Sequence, residues 1–195
     1  YKLMADDLAQ TLDALSISKA ALLGHSMGGK LAMTFALLYP HRVTKLIAAD
    51  VAPVAYPARH NNIFSGLFAV DIANLSSRAQ ADEQLSAFVH EAGVRQFLLK
   101  SLIKEDDKFH WRFNLNALKA NYSALTDAPM AEGQYDGPVL FIKGSESDYI
   151  LPEHKDIITR LFPNAHAKII QGTGHWLHAE KPAAFTRLVQ EFLLR

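Results

Sequence analysis

Along residues 1–15, Leu3, Leu8, Leu12 and Leu15 recur at helical spacing, with Asp6, Asp7 and Asp13 outside the stripe; the pattern predicts an amphipathic helix. The segment Ser16-Ile17-Ser18-Lys19 then turns into Ala20-Ala21-Leu22-Leu23, closed by Gly24. An apolar run this short predicts a buried strand rather than a helix. From Met27 to Tyr39 small and apolar residues dominate, predicting a tightly packed helix that Pro40 and His41 end. Val43 to Ala49 reads as a second buried strand, with Asp50 at its C-terminal end. Strand, helix and strand with short joints make a βαβ unit, so the sheet is expected to be parallel there with a right-handed crossover.

The rhythm breaks over residues 53–130. Helical patterns run from Ile63 to Ile72, Ala81 to Glu91 and Val94 to Ile103, followed by a polar turn from Lys104 to Lys108. An aromatic stretch, Phe109-His110-Trp111-Arg112-Phe113, precedes another predicted helix from Asn116 to Leu125. The strand–helix alternation then returns. Pro138–Lys143 and Ala167–Ile170 read as strands, Glu153–Phe162 as a helix, and Pro182–Leu194 as a closing amphipathic helix. The sequence contains no internal repeat and no low-complexity segment. The implied organisation is an α/β core made of residues 1–52 and 131–195, with residues 53–130 forming an inserted helical cap.

Composition narrows the chemistry. With 49% hydrophobic and 21% charged residues, the 195-residue chain reads as a soluble globular protein. Twenty basic and twenty acidic side chains cancel, leaving no basic field for a nucleic acid. No apolar run approaches the roughly 18 residues of a membrane span. There is no cysteine, which removes disulfides, thiolate nucleophiles and cysteine metal sites and fits a cytoplasmic setting.

Gly24-His25-Ser26-Met27-Gly28 lies between a predicted strand and a predicted helix, the context that makes Gly-x-Ser-x-Gly a nucleophile elbow. A sharp turn there strains the serine backbone and holds its hydroxyl clear of the sheet. The following helix aims its first N–H groups at the site, and Met27 N–H is the expected oxyanion donor. Serine needs a base. His175, in Gly172-Thr173-Gly174-His175-Trp176 beyond the last strand, is the best placed, since C-terminal strand ends of a parallel sheet share one edge. His25 lies inside the elbow and is expected to point away from the hydroxyl. A carboxylate should orient the imidazole. Asp50 and Asp148 both follow strands and would reach the same edge, so topology does not choose between them.

Gly-His-Ser-Met-Gly-Gly-Lys at 24–30, Asp-Val-Ala-Pro-Val at 50–54 and Gly-Thr-Gly-His-Trp-Leu-His-Ala-Glu-Lys-Pro at 172–182 together resemble the α/β-hydrolase superfamily. More narrowly, they resemble its bacterial YbfF-type acyl esterases. The likeness runs through nearly the whole chain, including residues 91–100. It implies the α/β-hydrolase fold, a mostly parallel sheet whose cap is inserted after the strand that follows the nucleophile strand. It also implies a Ser-acid-His triad, no cofactor or metal, and hydrolysis of a small-molecule carboxylic ester or an acyl thioester such as an acyl-CoA. Ser26 and His175 match the triad positions. The general superfamily pattern places the acid at Asp148 and the YbfF-type branch places it at Asp50, which is the expectation adopted, with Asp148 the rival. Because the chain opens at Tyr1, almost directly in the first helix, the family's preceding strands and its second oxyanion donor are expected to lie outside this sequence. Phe64, Phe68, Trp111 and Phe113 suggest an apolar acyl pocket, or simple packing of the cap. The same fold also serves lyases, C–C hydrolases and perhydrolases, and a binding protein could keep the elbow without turnover.

Overall fold

The computed structural model describes residues 1–129 and 133–194. The chain forms two units, Tyr1–Tyr56 with Asp127–Arg195, and Pro57–Thr126. The core–cap boundary expected at 130/131 lies outside the described residues.

In the first unit, helix α1 (Lys2–Ala14) buries Ala5 and Leu12, with Leu8 and Ala9 packed against the same cluster. The expected leucine stripe is therefore corrected at its ends, because Leu3 and Leu15 are exposed. Leu3 stands two and a half turns from Leu12, on the opposite side of a helix with 3.6 residues per turn. Strand β1 (Ala20–His25) leads through Ser26 into helix α2 (Met27–Leu38), which a 3-10 turn at Pro40–Arg42 joins to strand β2 (Val43–Ala49).

The second unit begins with α3 (Asn61–Ala69), a 3-10 turn at Ile72–Asn74, α4 (Arg78–Ser86) and α5 (Ala92–Leu99). Ser77 caps α4, its hydroxyl accepting from Gln80 N–H at 3.2 Å. Strands β3 (Leu102–Glu105) and β4 (Lys108–Trp111) then pair antiparallel, followed by α6 (Leu115–Ala120) and α7 (Tyr122–Thr126). The insertion is thus not wholly helical. The helix expected to reach Ile103 stops at Leu99, and the polar turn joins two strands instead. Asp106 and Asp107 both take positive φ (47° and 61°), the conformation of the tight turns that suit twisted hairpins. Leu67, Val70, Leu85, Leu99, Leu102 and Phe109 belong to this unit's own core.

The chain returns to the first unit through β5 (Val139–Gly144), a 3-10 turn at Pro152–His154, α8 (Lys155–Leu161), β6 (Ala165–Ile170), α9 (Leu177–Glu180) and α10 (Pro182–Leu194). The larger sheet runs β1-β2-β5-β6, parallel throughout. Its central strands are buried on both faces by strict alternation. Leu46, Ala48, Val139 and Phe141 join the core that contains α1, α2 and α8. Ile47, Leu140 and Ile142 join the opposite core, where Phe185, Leu188, Val189 and Phe192 of α10 pack. In this chain β1 stands at an end of the strand order, and its Leu23 is 46% exposed. Among the described residues no helix is long and apolar enough to cross a membrane.

Candidate active site

All four parallel strands end at one edge, which gathers residues far apart in sequence. Ser26 follows β1 with φ 54° and ψ −121°, a region that non-glycine residues avoid. The turn is possible because Gly24 lacks a side chain: a Cβ there would lie 2.1 Å from the Gly28 carbonyl oxygen. Ser26 N–H donates to the Ala49 carbonyl at 3.0 Å, fastening the elbow to the end of β2. Met27 opens α2, so its N–H has no acceptor within the helix.

Asp50, directly after β2, also has positive φ (51°) and is wholly buried. Its Oδ1 accepts from Gly144 N–H at 3.0 Å, while Oδ2 accepts from the Ser147 hydroxyl in a short bond. The same Oδ2 lies 2.8 Å from His175 Nδ1, and His175 Nε2 lies 3.0 Å from Ser26 Oγ. A carboxylate can only accept, so Nδ1 carries the imidazole proton and Nε2 presents its lone pair to the serine hydroxyl. Asp148, the rival acid, is exposed.

The loop bearing His175 is fitted closely to the end of β5. A Cβ on Gly144 would lie 2.2 Å from the Gly174 carbonyl oxygen. Glu146 N–H donates to the Thr173 carbonyl at 2.9 Å, and Gly172 N–H to Ser145 Oγ at 2.8 Å. The Tyr149 ring stacks on the His175 imidazole, centroids 3.9 Å apart and 17° from parallel. The Tyr56 hydroxyl donates to the Tyr149 carbonyl at 2.5 Å and accepts from Ala52 N–H at 2.8 Å, so that ring is held from behind.

Ser147, Tyr149 and Tyr56 were not singled out by sequence. A serine or tyrosine in a loop after a strand has no pattern that separates it from any surface residue. His25 makes its bond to the His175 carbonyl rather than to the Ser26 hydroxyl, and burial pushes its pKa down to about 4. The aromatic residues expected to form an acyl pocket lie in the second unit. Phe64 packs edge-to-face on Tyr122, Trp111 and Phe113 stack on each other, and Phe68 is half exposed. Among the described residues no group of acidic, histidine or cysteine side chains is arranged to hold a metal ion.

A family model described as the alpha/beta hydrolase fold matches residues 1–182. The chain belongs to the α/β-hydrolase family. It is 41% identical to Esterase YbfF of Escherichia coli (strain K12), over 99% of this chain and 74% of that protein. It is 40% identical to the sn-1-specific diacylglycerol lipase ABHD11 of Mus musculus, over 99% of this chain and 65% of that one. Among solved structures, a marine microorganism esterase superposes with a TM-score of 0.95 at 34% identity, covering 98% of this chain and 77% of its own. These α/β-hydrolase relatives are named as carboxylic ester hydrolases, and the chain spans about two thirds to three quarters of their length.

Proposed function

We propose that this protein hydrolyses carboxylic esters or acyl thioesters by two-step acyl transfer on Ser26. The observation that carries the reading is the continuous hydrogen-bonded path from Ser26 Oγ through His175 to the buried Asp50 carboxylate. The names of its relatives at about 40% identity support the same class. In the first step Ser26 Oγ attacks the carbonyl carbon while His175 Nε2 takes its proton. Asp50 keeps the imidazole in the useful tautomer and stabilises the imidazolium. Met27 N–H helps hold the oxyanion, a donor of the kind worth about 10²–10³ in rate. His175 then protonates the leaving alcohol or thiol, and water, activated by the same base, releases the acid.

Asp50 is taken as the acid because both His175 nitrogens are already satisfied, one by Asp50 and the other by Ser26. The exposure of Asp148 argues against that role for it. A cytoplasmic setting belongs to the same proposal and rests on the cysteine-free sequence.

Labelling with a fluorophosphonate tests the reading. The protein should take one adduct, on the peptide containing Ser26, and Ser26→Ala should take none. Labelling that persists in Ser26→Ala would overturn it. A panel of p-nitrophenyl esters and acyl-CoA thioesters then separates the two substrate classes.

A further inference from the structure

We infer that His25 is a positioning residue, a neutral hydrogen-bond donor that ties the backbone of His175 directly to the nucleophile strand. The inference rests on the proposed roles of Ser26 and His175.

The geometric problem begins with the sheet. Ser26 follows β1 and His175 follows β6, and these strands stand at opposite ends of the order β1-β2-β5-β6. The Oγ–Nε2 distance thus depends on every strand pairing between them and on two loops. The side chain of His175 is aimed by Asp50 and Ser26 themselves, but its backbone needs its own support. Several bonds in its loop serve the local region only. Gly172 and Thr173 are tied to Ser145 and Glu146 after β5, while the N–H groups of Gly174 and Trp176 donate to the Glu180 carboxylate of α9. His25 supplies the direct connection. It is the last residue of β1 and adjoins Ser26, and its Nε2 lies 2.8 Å from the His175 carbonyl oxygen.

A carbonyl only accepts, so His25 carries its proton on Nε2. The rings of His25 and His175 lie 4.7 Å apart, and that of His178 is 4.5 Å from His25. A charged His25 would oppose the imidazolium that forms on His175 during attack. Burial prevents this by lowering the His25 pKa to about 4, so the donor is neutral at neutral pH. The bond therefore fixes the base without adding charge beside it.

The side chain required at position 25 is a neutral donor of defined reach. Glutamine places its amide nitrogen at the same ε position as the imidazole donor. Asparagine stops one bond short, and leucine has no donor. The experiment compares His25→Gln, His25→Asn and His25→Leu in the full-length protein by kcat and KM for a p-nitrophenyl ester, with thermal melts as a folding control. His25→Leu and His25→Asn should lose about 10–100-fold in kcat with little change in KM, the scale of a displaced catalytic group. His25→Gln should stay within about threefold of wild type. A folded His25→Leu that keeps wild-type kcat would overturn the assignment, as would a folded His25→Gln no better than His25→Asn. If His25→Leu fails to fold, the comparison of Gln with Asn decides. Fluorophosphonate labelling of the unsubstituted protein runs alongside. Without an adduct at Ser26 the hydrolase reading itself fails; with the adduct, the kinetics judge His25 alone.

Discussion

Replacing Asp50 with Asn changes the site in a way that can be followed atom by atom. The buried carboxylate accepts three bonds, from Gly144 N–H, the Ser147 hydroxyl and His175 Nδ1–H. An amide offers one acceptor oxygen and one donor group. The backbone N–H of Gly144 can only donate, so it claims the oxygen, and the amide NH₂ then faces Ser147 and His175. The hydroxyl can rotate to accept, and the imidazole can accept only by moving its proton to Nε2. There the proton points at Ser26 Oγ, and the base is lost. The expected fall in kcat is about 10³–10⁴, the cost of the wrong tautomer, or roughly 4–5.5 kcal/mol in barrier. KM should change little, because Asp50 acts through His175. Asp148→Asn, at an exposed position, should stay within about threefold. Steady-state hydrolysis of a soluble p-nitrophenyl ester, with folding checked by circular dichroism, reads both variants. A larger loss in Asp148→Asn than in Asp50→Asn would refute the reasoning.

Ser147→Ala removes a donor to the Asp50 carboxylate, which should lower kcat by about tenfold. The same steady-state assay reads it, and a folded Ser147→Ala with wild-type kcat would contradict the role given to this bond. Gly24→Ala should lower Tm by about 10 °C, because its Cβ would strike backbone atoms of Gly28, whereas Gly28→Ala, with nothing within 4 Å of its added Cβ, should leave Tm nearly unchanged. The buried Lys30 ammonium donates to the Asp127 carbonyl at 2.6 Å and lies 4.6 Å from the Tyr56 ring centroid; burial pushes its pKa from 10.5 to about 8. Between those two values the unfolded chain binds the proton that the folded chain has released, so folding gains stability as pH rises from 8 towards 10.5. The Tm difference between wild type and Lys30→Met should accordingly move in favour of wild type by a few degrees from pH 7.5 to pH 10, and a constant difference would contradict the burial argument.

The parts most legible in the sequence were those where one physical signal dominates. The runs read as strands at Val43–Ala49 and Pro138–Lys143 supply the two central strands of the sheet, and Gly24-x-Ser26-x-Gly28 between a strand and a helix marks the elbow. The hairpin at Leu102–Trp111 was missed because its turn uses Asp106 and Asp107 at positive φ, where glycine or asparagine would have given the signal. In the site, the sequence located the edge and left two acids on it. What separates them is three-dimensional: Asp50 bends inward with a left-handed backbone and meets Gly144, Ser147 and His175, while Asp148 is exposed. The Tyr149 stack and the His25 tie are likewise consequences of loop geometry, to which residue spacing is blind.

The central claim is that Ser26 carries the acyl group through a covalent intermediate. Rapid quenching of a single turnover with a p-nitrophenyl ester, followed by peptide mass mapping, tests it directly. The account predicts a burst of p-nitrophenol close to one equivalent and an acyl mass on the peptide containing Ser26. Turnover with no acylated peptide, or acylation at another residue, would contradict it.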